Sequence, residues 1–212
     1  MCMAYNLPML QYLEKGEMMR EAVIERKTKE TDIKCRINLD GKGVSNINTG
    51  VGFFDHMLTA VSKHGFMDID LSCKGDLEVD SHHTIEDCGI VLGEAFRQAL
   101  GDMKGITRYG NFLMPMDEAL IMCAVDVGGR ACYVDDLHFT VDKIGEMDTE
   151  MVHEFFLAFA NNAKINLHLR GITGVNNHHI SEGCFKAFAR ALSQAVSIDP
   201  RVEGVLSTKG VL

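Results

Sequence analysis

The sequence has little positive charge and no long hydrophobic run. Its 212 residues carry 21 Lys and Arg against 30 Asp and Glu, which gives a formal net charge of -9. Nucleic-acid backbones attract basic surfaces, so this balance argues against broad nucleic-acid binding, whereas a few focused cations could still bind a small anion. No apolar run is long enough to span a bilayer, and no signal peptide is evident. We therefore expect neither nucleic acid nor a membrane as a partner.

The seven cysteines show no C-x-x-C spacing and no even framework of pairs. An odd, scattered set predicts reduced thiols and a cytoplasmic protein rather than a disulfide-linked one. Hydrophobic residues make up 46% and charged residues 24%, ordinary values for a globular chain. The length is sufficient for one large domain or two small ones with real cores.

Residues 1–18, "MCMAYNLPMLQYLEKGEM", have mixed polarity and no clear period. We expect a poorly ordered leader or extension, with a helix docked on the core as the alternative. Either Met18 or Met19 could be an alternative start.

From residue 19 the chain reads as strands and amphipathic helices that occur twice in the same order. In 19–110, strand-like "AVIERKTKETDIKCRINLD" ends at "DGKG", which predicts a hairpin turn. Two helices follow, with strand-like "FMDIDLSCKGDLEVD" between them. In 111–212 the same order returns, and an offset of 96 places "HHISEGC" on "HHTIEDC". We infer an internal duplication. The predicted fold is α+β, with two duplicated halves, each a small mixed sheet backed by two helices.

Both halves contain an H-H-x-x-E motif with a histidine about 25 residues upstream. On a helix His82 and Glu86 share a face, as do His178 and Glu182. Adjacent helical residues point about 100° apart, so the two histidines of a pair should bind different ions. The candidate ligands are six histidines and two glutamates, enough for two sites of three His and one Glu: His56, His82, His83, Glu86, His153, His178, His179 and Glu182.

A mixed N/O ligand set with room for water or substrate suits octahedral Mn(II) or Fe(II), whereas Zn(II) prefers four ligands. One H-H-x-x-E copy alone would more often be a surface or capping feature, but two copies with matched upstream histidines favour metal sites. Each half would contribute to both ions, within one chain or across a subunit boundary. His64, His138 and His168 have no counterpart in the other half, so we expect them to be structural or substrate-facing.

Seven segments together resemble the imidazoleglycerol-phosphate dehydratase family of histidine biosynthesis: "FFDHMLTAVSKHG", "DSHHTIEDCGIVLGEA", "RYG", "PMDEALIMCAVDVGGR", "NLH", "NNHHISEGCFKAFARAL" and "STKGVL". The resemblance runs from about residue 20 to the C-terminus and is to the monofunctional form. It implies a ribosomal-protein S5 domain 2-like fold, two Mn(II) per chain (Fe(II) or another divalent metal being possible) and a 24-subunit shell with metal sites between subunits. It also implies a carbon–oxygen lyase that converts imidazole glycerol phosphate to imidazole acetol phosphate and water through a metal-stabilised imidazolate.

The resemblance also implies roles for individual residues. Glu30 matches the acid/base glutamate, which with the ligands Glu86 and Glu182 completes the catalytic set. Without the resemblance Glu30 would be read as a solvated charge. The other matches are to substrate-binding residues, chiefly a phosphate pocket in which guanidinium groups suit the phosphate: His64, Arg108, Arg130, Lys186, Ser207, Thr208 and Lys209.

Two rival functions remain from the sequence. A binuclear metallohydrolase also uses paired ions to activate water, but it would use more bridging carboxylates than two against six histidines. A non-catalytic metal-binding or shell-forming protein would not require Glu30 together with Arg108, Arg130 and Lys209. Product formation from imidazole glycerol phosphate with and without a chelator discriminates among the three.

Overall fold

The structure, a computed structural model, describes residues 19–211, so the predicted leader lies outside the described residues. The first half contains six elements in the order β-β-β-α-β-α. They are β1 (Glu21–Lys27), β2 (Thr31–Asn38), β3 (Ser45–Asn48), α1 (Gly52–Gly65), β4 (Asp68–Gly75) and α2 (His82–Leu100).

The second half repeats this order with one insertion. Its elements are β5 (Tyr109–Met116), β6 (Ala119–Asp126), β7 (Cys132–Asp136), β8 (Lys143–Ile144), β9 (Met147–Asp148), α3 (Met151–Ala163), β10 (Asn166–Thr173) and α4 (Asn177–Val196). The short β8–β9 hairpin is the addition. The predicted boundary between residues 110 and 111 lies at the start of β5.

The two main sheets have the same topology. Their strand orders are β1-β2-β4-β3 and β5-β6-β10-β7. In each sheet the last pair is parallel and the other pairs are antiparallel. Both sheets are therefore mixed. The prediction of an α+β fold with two duplicated halves is confirmed.

Alternating side chains explain why these segments form half-buried strands. In β2 the buried positions include Ile33, Cys35 and Ile37, and in β6 they include Ile121 and Cys123. Successive strand residues point to opposite faces, so each sheet turns one apolar face toward the helices. Residues of both halves join one hydrophobic core.

The predicted hairpin at "DGKG" is wrong. β2 ends just before this segment, but β3 pairs in parallel with β4 and not with β2. The hairpin lies instead between β1 and β2, where Thr28 Oγ1 accepts hydrogen bonds from the N–H groups of Glu30 and Thr31. A Gly-rich turn signal marks where a strand ends, but it does not determine which strand the next one pairs with, because pairing depends on how the whole sheet packs.

The helices pack in pairs that join the two halves. Gly89 and Gly93 of α2 lie against the Phe155 and Phe159 carbonyls of α3, and Gly65 of α1 lies against Ala189 of α4. Successive glycines of α2 meet successive turns of α3, so these two helices run in the same direction. Small residues permit this close approach. The beginning of α2 therefore lies near the beginning of α3, and the beginning of α4 lies near α1. Each H-H-x-x-E helix is thus paired with a helix from the other half.

Gly93→Ala should destabilise the protein because it separates α2 from α3. An added Cβ would lie 2.7 Å from the Phe159 carbonyl oxygen and 3.0 Å from the Ala163 nitrogen, and both are backbone atoms. We expect a loss of about 1–3 kcal/mol, typical of overpacking, despite the better helix propensity of Ala. Denaturant unfolding at one protein concentration measures it. Gly52→Ala is the control, since its Cβ would meet nothing within 4 Å; equal stability of the two variants would contradict the close-packing argument.

The four described helices include none that is both long and apolar enough to cross a membrane.

Candidate metal centre

One candidate ligand group is assembled where α1 meets α4. The Nε2 atom of His178 lies 3.0 Å from Oε2 of Glu182, and Nε2 of His56 lies 3.5 Å from the same oxygen. The ligand atoms of these three residues all lie within 4.8 Å of one another, and they are the only such group of three or more in residues 19–211. The group takes one histidine from the first half and two ligands from the second.

The carboxylate of Glu182 is ionised although the residue is only 7% exposed. Burial by itself raises the pKa of a carboxyl group, but hydrogen bonds from Lys186 and His178 outweigh it, so the pKa of Glu182 is lowered. The Nζ atom of Lys186 lies 2.5 Å from Oε1. A buried negative carboxylate beside two imidazole nitrogens fits a divalent cation.

The duplicated counterpart of this group is more open. Nε2 of His82 lies 3.8 Å from Oε2 of Glu86, and both side chains are 42% exposed. His153 lies in the first turn of α3, and the packing of α2 on α3 places that turn beside Glu86. His82 and Glu86 stand four residues apart near the start of α2, as His178 and Glu182 do in α4, and His153 is the histidine of the helix that packs on α2. The distance between His82 and Glu86 is longer than the 3.0 Å between His178 and Glu182.

The remaining two candidate ligands, His83 and His179, lie outside the first group, and each faces another carboxylate, Asp76 and Glu118 respectively. The ring centroids of His82 and His83 are 6.1 Å apart with planes at 78°, and those of His178 and His179 are 6.2 Å apart at 86°. The division of each H-H pair between two ions stays a prediction. Each group of two histidines and one glutamate is thereby one histidine short of the predicted set.

Three carboxylates that the sequence analysis missed contact predicted ligands. Asp76 approaches Nδ1 of His83 at 3.0 Å, Asp135 approaches Nδ1 of His153 at 2.5 Å, and Glu118 approaches Nδ1 of His179 at 2.8 Å. The pKa of Glu118 is lowered to about 2, first by the contact with His179 and then by backbone N–H groups. The three spacings, 7, 18 and 61 residues, follow no helix or strand period, so no sequence signal identified these carboxylates.

Five of the predicted substrate residues line one open cavity near the C-terminus: Arg108, Arg130, Ser207, Thr208 and Lys209. Arg201 also lines this cavity and was not predicted. The cationic and hydroxyl groups gathered here suit a phosphate, as the prediction requires. His64, Lys186 and Glu30 are not among the lining residues.

The guanidinium group of Arg108 is engaged within the protein. Its Nε and Nη2 donate to the two carboxylate oxygens of Asp126 at 2.7 and 3.0 Å, and its Nη1 donates to the carbonyl of Leu206. Arg108 therefore links β5 and β6 to the C-terminal segment that carries Ser207 and Lys209. Arg130 is exposed at the same cavity.

His64 and Lys186 lie with the first ligand group rather than in the cavity. His64 is near the end of α1, and its carbonyl accepts a hydrogen bond from Arg190 of α4. The pKa of His64 is lowered, first by burial and then by the charges of Lys186 and Arg190. This arrangement favours a neutral imidazole near the metal ligands.

Glu30 sits in the β1–β2 turn, which is tied to α2. Thr31 Oγ1 donates to the buried carboxylate of Asp87 at 2.5 Å, and Arg26 pairs with the same oxygen. The pKa of His83 is raised, chiefly by its hydrogen bond to Asp76, with a smaller contribution from the charge of Glu30. Glu30 therefore lies close enough to His83, a predicted ligand, for its charge to act on that ring, although the two residues are far apart in the sequence.

The comparisons with known proteins agree with this architecture. The sequence profile described as imidazoleglycerol-phosphate dehydratase matches residues 49–192. The chain is similar to proteins of that name from Lachnoclostridium phytofermentans, with 56% identity over 195 residues, and from Clostridium botulinum, with 58% over 196 residues. Each alignment covers 92% of this chain and 100% of the relative.

Two solved structures of such dehydratases have the same fold. The crystal structure from Staphylococcus aureus matches with a TM-score of 0.77 and 37% identity, covering 84% of this chain and 99% of that one. The structure from Pyrococcus furiosus, in complex with (S)-C348, matches with a TM-score of 0.77 and 36% identity, covering 89% and 100%. The chain therefore belongs to the imidazoleglycerol-phosphate dehydratase family and is a dehydratase of histidine biosynthesis.

Proposed function

We propose that this chain converts imidazole glycerol phosphate to imidazole acetol phosphate and water, using two divalent ions per chain with Mn(II) as the first candidate. The observation that carries the proposal is the group of His56, His178 and Glu182, which joins ligands of both halves around one buried carboxylate. The repeated group of His82, Glu86 and His153 supports a second ion. Family membership supports the substrate and the reaction.

The donor set fits such ions. A set of imidazole nitrogens with a carboxylate oxygen suits Mn(II) or Fe(II). When bound, the ions would supply Lewis acidity, which favours the imidazolate form of the substrate ring and assists departure of the hydroxyl group. His64 and Lys186, beside the first group, would contact the substrate there.

The reaction also requires a base for a carbon-bound proton, which lies on the second carbon from the imidazole ring, next to the carbon that loses the hydroxyl group. That carbon has no neighbouring carbonyl group, so the proton is barely acidic. Glu86 and Glu182 are committed to their ions as ligands. Glu30, exposed in its turn near His83, is the carboxylate proposed to take and return protons.

The cavity near the C-terminus is proposed to bind the substrate phosphate through Arg130, Ser207, Thr208 and Lys209. Arg108 is proposed to contribute its positive charge. Its hydrogen bond to the carbonyl of Leu206 supports a second role, which is to hold the C-terminal segment that carries Ser207 and Lys209. A phosphate accepts several charge-assisted hydrogen bonds, so this cavity would supply most of the binding energy for the phosphate end of the substrate, which does not react.

Arg130→Ala should weaken substrate binding and leave the metal in place. Loss of a charge-assisted contact to phosphate is worth about 1.5–3 kcal/mol, so KM should rise about 10–100-fold. Steady-state kinetics, inhibition by free phosphate and elemental analysis measure the effect. Arg97→Ala, an exposed position on α2, is the control. A variant at Arg130 that loses metal but keeps its substrate affinity would show that the assignment is wrong.

Self-association is proposed because each ligand group lacks one histidine. His83 and His179 lie outside the group of His56, His178 and Glu182, so a second copy could supply them. The outer face of the second sheet supports contact between copies: Leu113, Met122 and Val134 lie on it, with Leu113 56% and Val134 48% exposed. Apolar patches of this kind mark interaction sites.

The outer face of the first sheet is the internal comparison. It carries ion pairs instead, between Arg36 and both Glu21 and Asp70, and between Lys34 and Glu25. The two sheets share a topology but differ in the side chains on their outer faces.

We infer a 24-subunit shell with metal sites between subunits, located in the cytoplasm.

The proposed function is tested by incubating the protein with imidazole glycerol phosphate. We expect imidazole acetol phosphate to form with Mn(II), and formation to stop after chelation and resume on return of the ion. The control is the same protein with Mg(II), a hard cation that prefers oxygen ligands to imidazole. Release of inorganic phosphate without dehydration would favour the metallohydrolase, and metal binding with no turnover of any kind would contradict the proposal.

A further inference from the structure

We propose that Asp76, Asp135 and Glu118 are positioning residues that hold the Nδ1–H of His83, His153 and His179, so that Nε2 is the metal-binding atom of each. The proposal rests on the metal sites proposed above and adds three residues to them. It is carried by three separate contacts between a carboxylate oxygen and an Nδ1 atom, at 3.0, 2.5 and 2.8 Å respectively.

The chemistry of a carboxylate facing an imidazole decides which ring nitrogen carries the hydrogen. An ionised carboxylate can only accept hydrogen bonds, so the imidazole nitrogen that faces it must be the donor. In a neutral imidazole the other nitrogen then keeps its lone pair. A carboxylate at Nδ1 thus selects the tautomer in which Nε2 can bind a cation, and it also increases the basicity of that nitrogen.

In the other three predicted histidines Nε2 itself faces a candidate ligand carboxylate. Nε2 of His56 and of His178 faces Glu182, and Nε2 of His82 faces Glu86. By the same rule Nε2 is the donor in these three contacts while no ion is bound, and a cation would replace that hydrogen. The carboxylates at Nδ1 instead leave Nε2 of His83 and His153 without a hydrogen, and Nε2 of His179 lies 3.8 Å from Oδ2 of Asp117.

Two of the three carboxylates are themselves held in place. The Oε1 atom of Glu118 accepts the backbone N–H groups of Val175 and Asn176 at 3.1 and 2.8 Å, which ties the β5–β6 turn to the start of α4. Asp135 lies on β7, which pairs with β10. Asp76 follows β4 directly. Each histidine on a helix is thus oriented by a carboxylate from the sheet side of the molecule, and a rigid support reduces the ordering required when an ion binds.

The test compares Asp76→Ala, Asp76→Asn and Asp135→Ala with Glu78→Ala. Glu78 is exposed in the same loop as Asp76 and provides the matched control. Two readouts are taken: Mn(II) affinity by competition with a chelating dye, and the imidazole tautomer by ¹⁵N solid-state NMR of the metal-free protein labelled at histidine. The second readout does not depend on turnover or on assembly.

We expect each Ala variant to lose about 10–100-fold in Mn(II) affinity, as removal of such supporting groups does elsewhere. The Nδ1–H signal of one histidine should give way to a mixture of tautomers. Asp76→Asn keeps an accepting oxygen, so it should recover part of the tautomer population and part of the affinity. Glu78→Ala should match the unmodified protein in both readouts.

The inference is overturned if His83 and His153 carry their hydrogen on Nε2 in the unmodified protein. It is also overturned if the folded Ala variants keep both the tautomer and the Mn(II) affinity. If Asp76→Ala fails to fold, Asp76→Asn and Asp135→Ala still give the answer. If the unmodified protein binds no divalent metal, the proposed function fails, whereas the tautomer measurement still decides whether the carboxylates orient these rings.

Discussion

Glu30→Gln is expected to lower turnover about 10²–10⁴-fold, the range typical of a lost general acid or base. The substitution keeps the size of the side chain and removes its titrating group. The backbone N–H of Glu30, rather than its carboxylate, makes the hydrogen bond that holds the β1–β2 turn, so the turn should survive. Metal content, assembly and substrate affinity should therefore remain. Single-turnover kinetics with elemental analysis of the same sample measure these quantities.

The matched control for this prediction is Glu25→Gln. Glu25 lies on β1, is exposed and pairs with Lys34 on the outer face of the first sheet. It removes a carboxylate from the same hairpin without approaching the candidate ligands. If Glu30→Gln turns over at the rate of Glu25→Gln, the base lies elsewhere and Glu30 is a solvated surface charge.

Removal of metal is expected to abolish activity and to break the assembly into smaller particles. The reason lies in the proposed sites: His83 and His179 face Asp76 and Glu118 and lie outside the group of His56, His178 and Glu182, so the proposal takes them as ligands supplied by a second copy. Light scattering during chelation should show a fall in mass, and Mn(II) should restore the large particle. The restored particle should contain about two ions per chain, as two complete ligand sets require.

Two histidine variants distinguish metal-dependent assembly from a general effect of the chelator. His179→Ala removes a predicted ligand and should give the small particle even with Mn(II) present. His138→Ala removes an exposed histidine whose neighbour is Asp136, and it should assemble normally. A large particle that persists after verified removal of the metal would show that the apolar sheet face holds the copies together without ions.

Periodicity predicted most of the elements correctly because it depends on local geometry alone. The spacing of Phe54, Met57 and Leu58 predicts α1, and all three side chains are buried. The strand-like segment "FMDIDLSCKGDLEVD" predicts β4, but only its first part is a strand, which ends at Gly75, and "DLEVD" forms none. The turn signal at "DGKG" failed for the opposite reason. It marked the end of β2, but the partner of β3 is β4, a choice made by the packing of the whole sheet.

Residue chemistry predicted which groups would gather but not all of their contacts. His178 and Glu182 are four apart on one helix, so their proximity follows from the helical repeat. His56 joins them only because α1 packs on α4, which no spacing within either half dictates. Arg108 shows the limit most clearly, since its predicted phosphate contact competes with its two hydrogen bonds to Asp126.

The sequence by itself determined the duplicated order of strands and helices, the two H-H-x-x-E motifs and the resemblance to the family, because these depend on local period, spacing and residue type. Only the tertiary structure decided that His56 of the first half joins His178 and Glu182 of the second, and that Asp76, Asp135 and Glu118 lie against histidine Nδ1 atoms. Such contacts join residues far apart in the chain, and their distances are set by how the helices and sheets pack together.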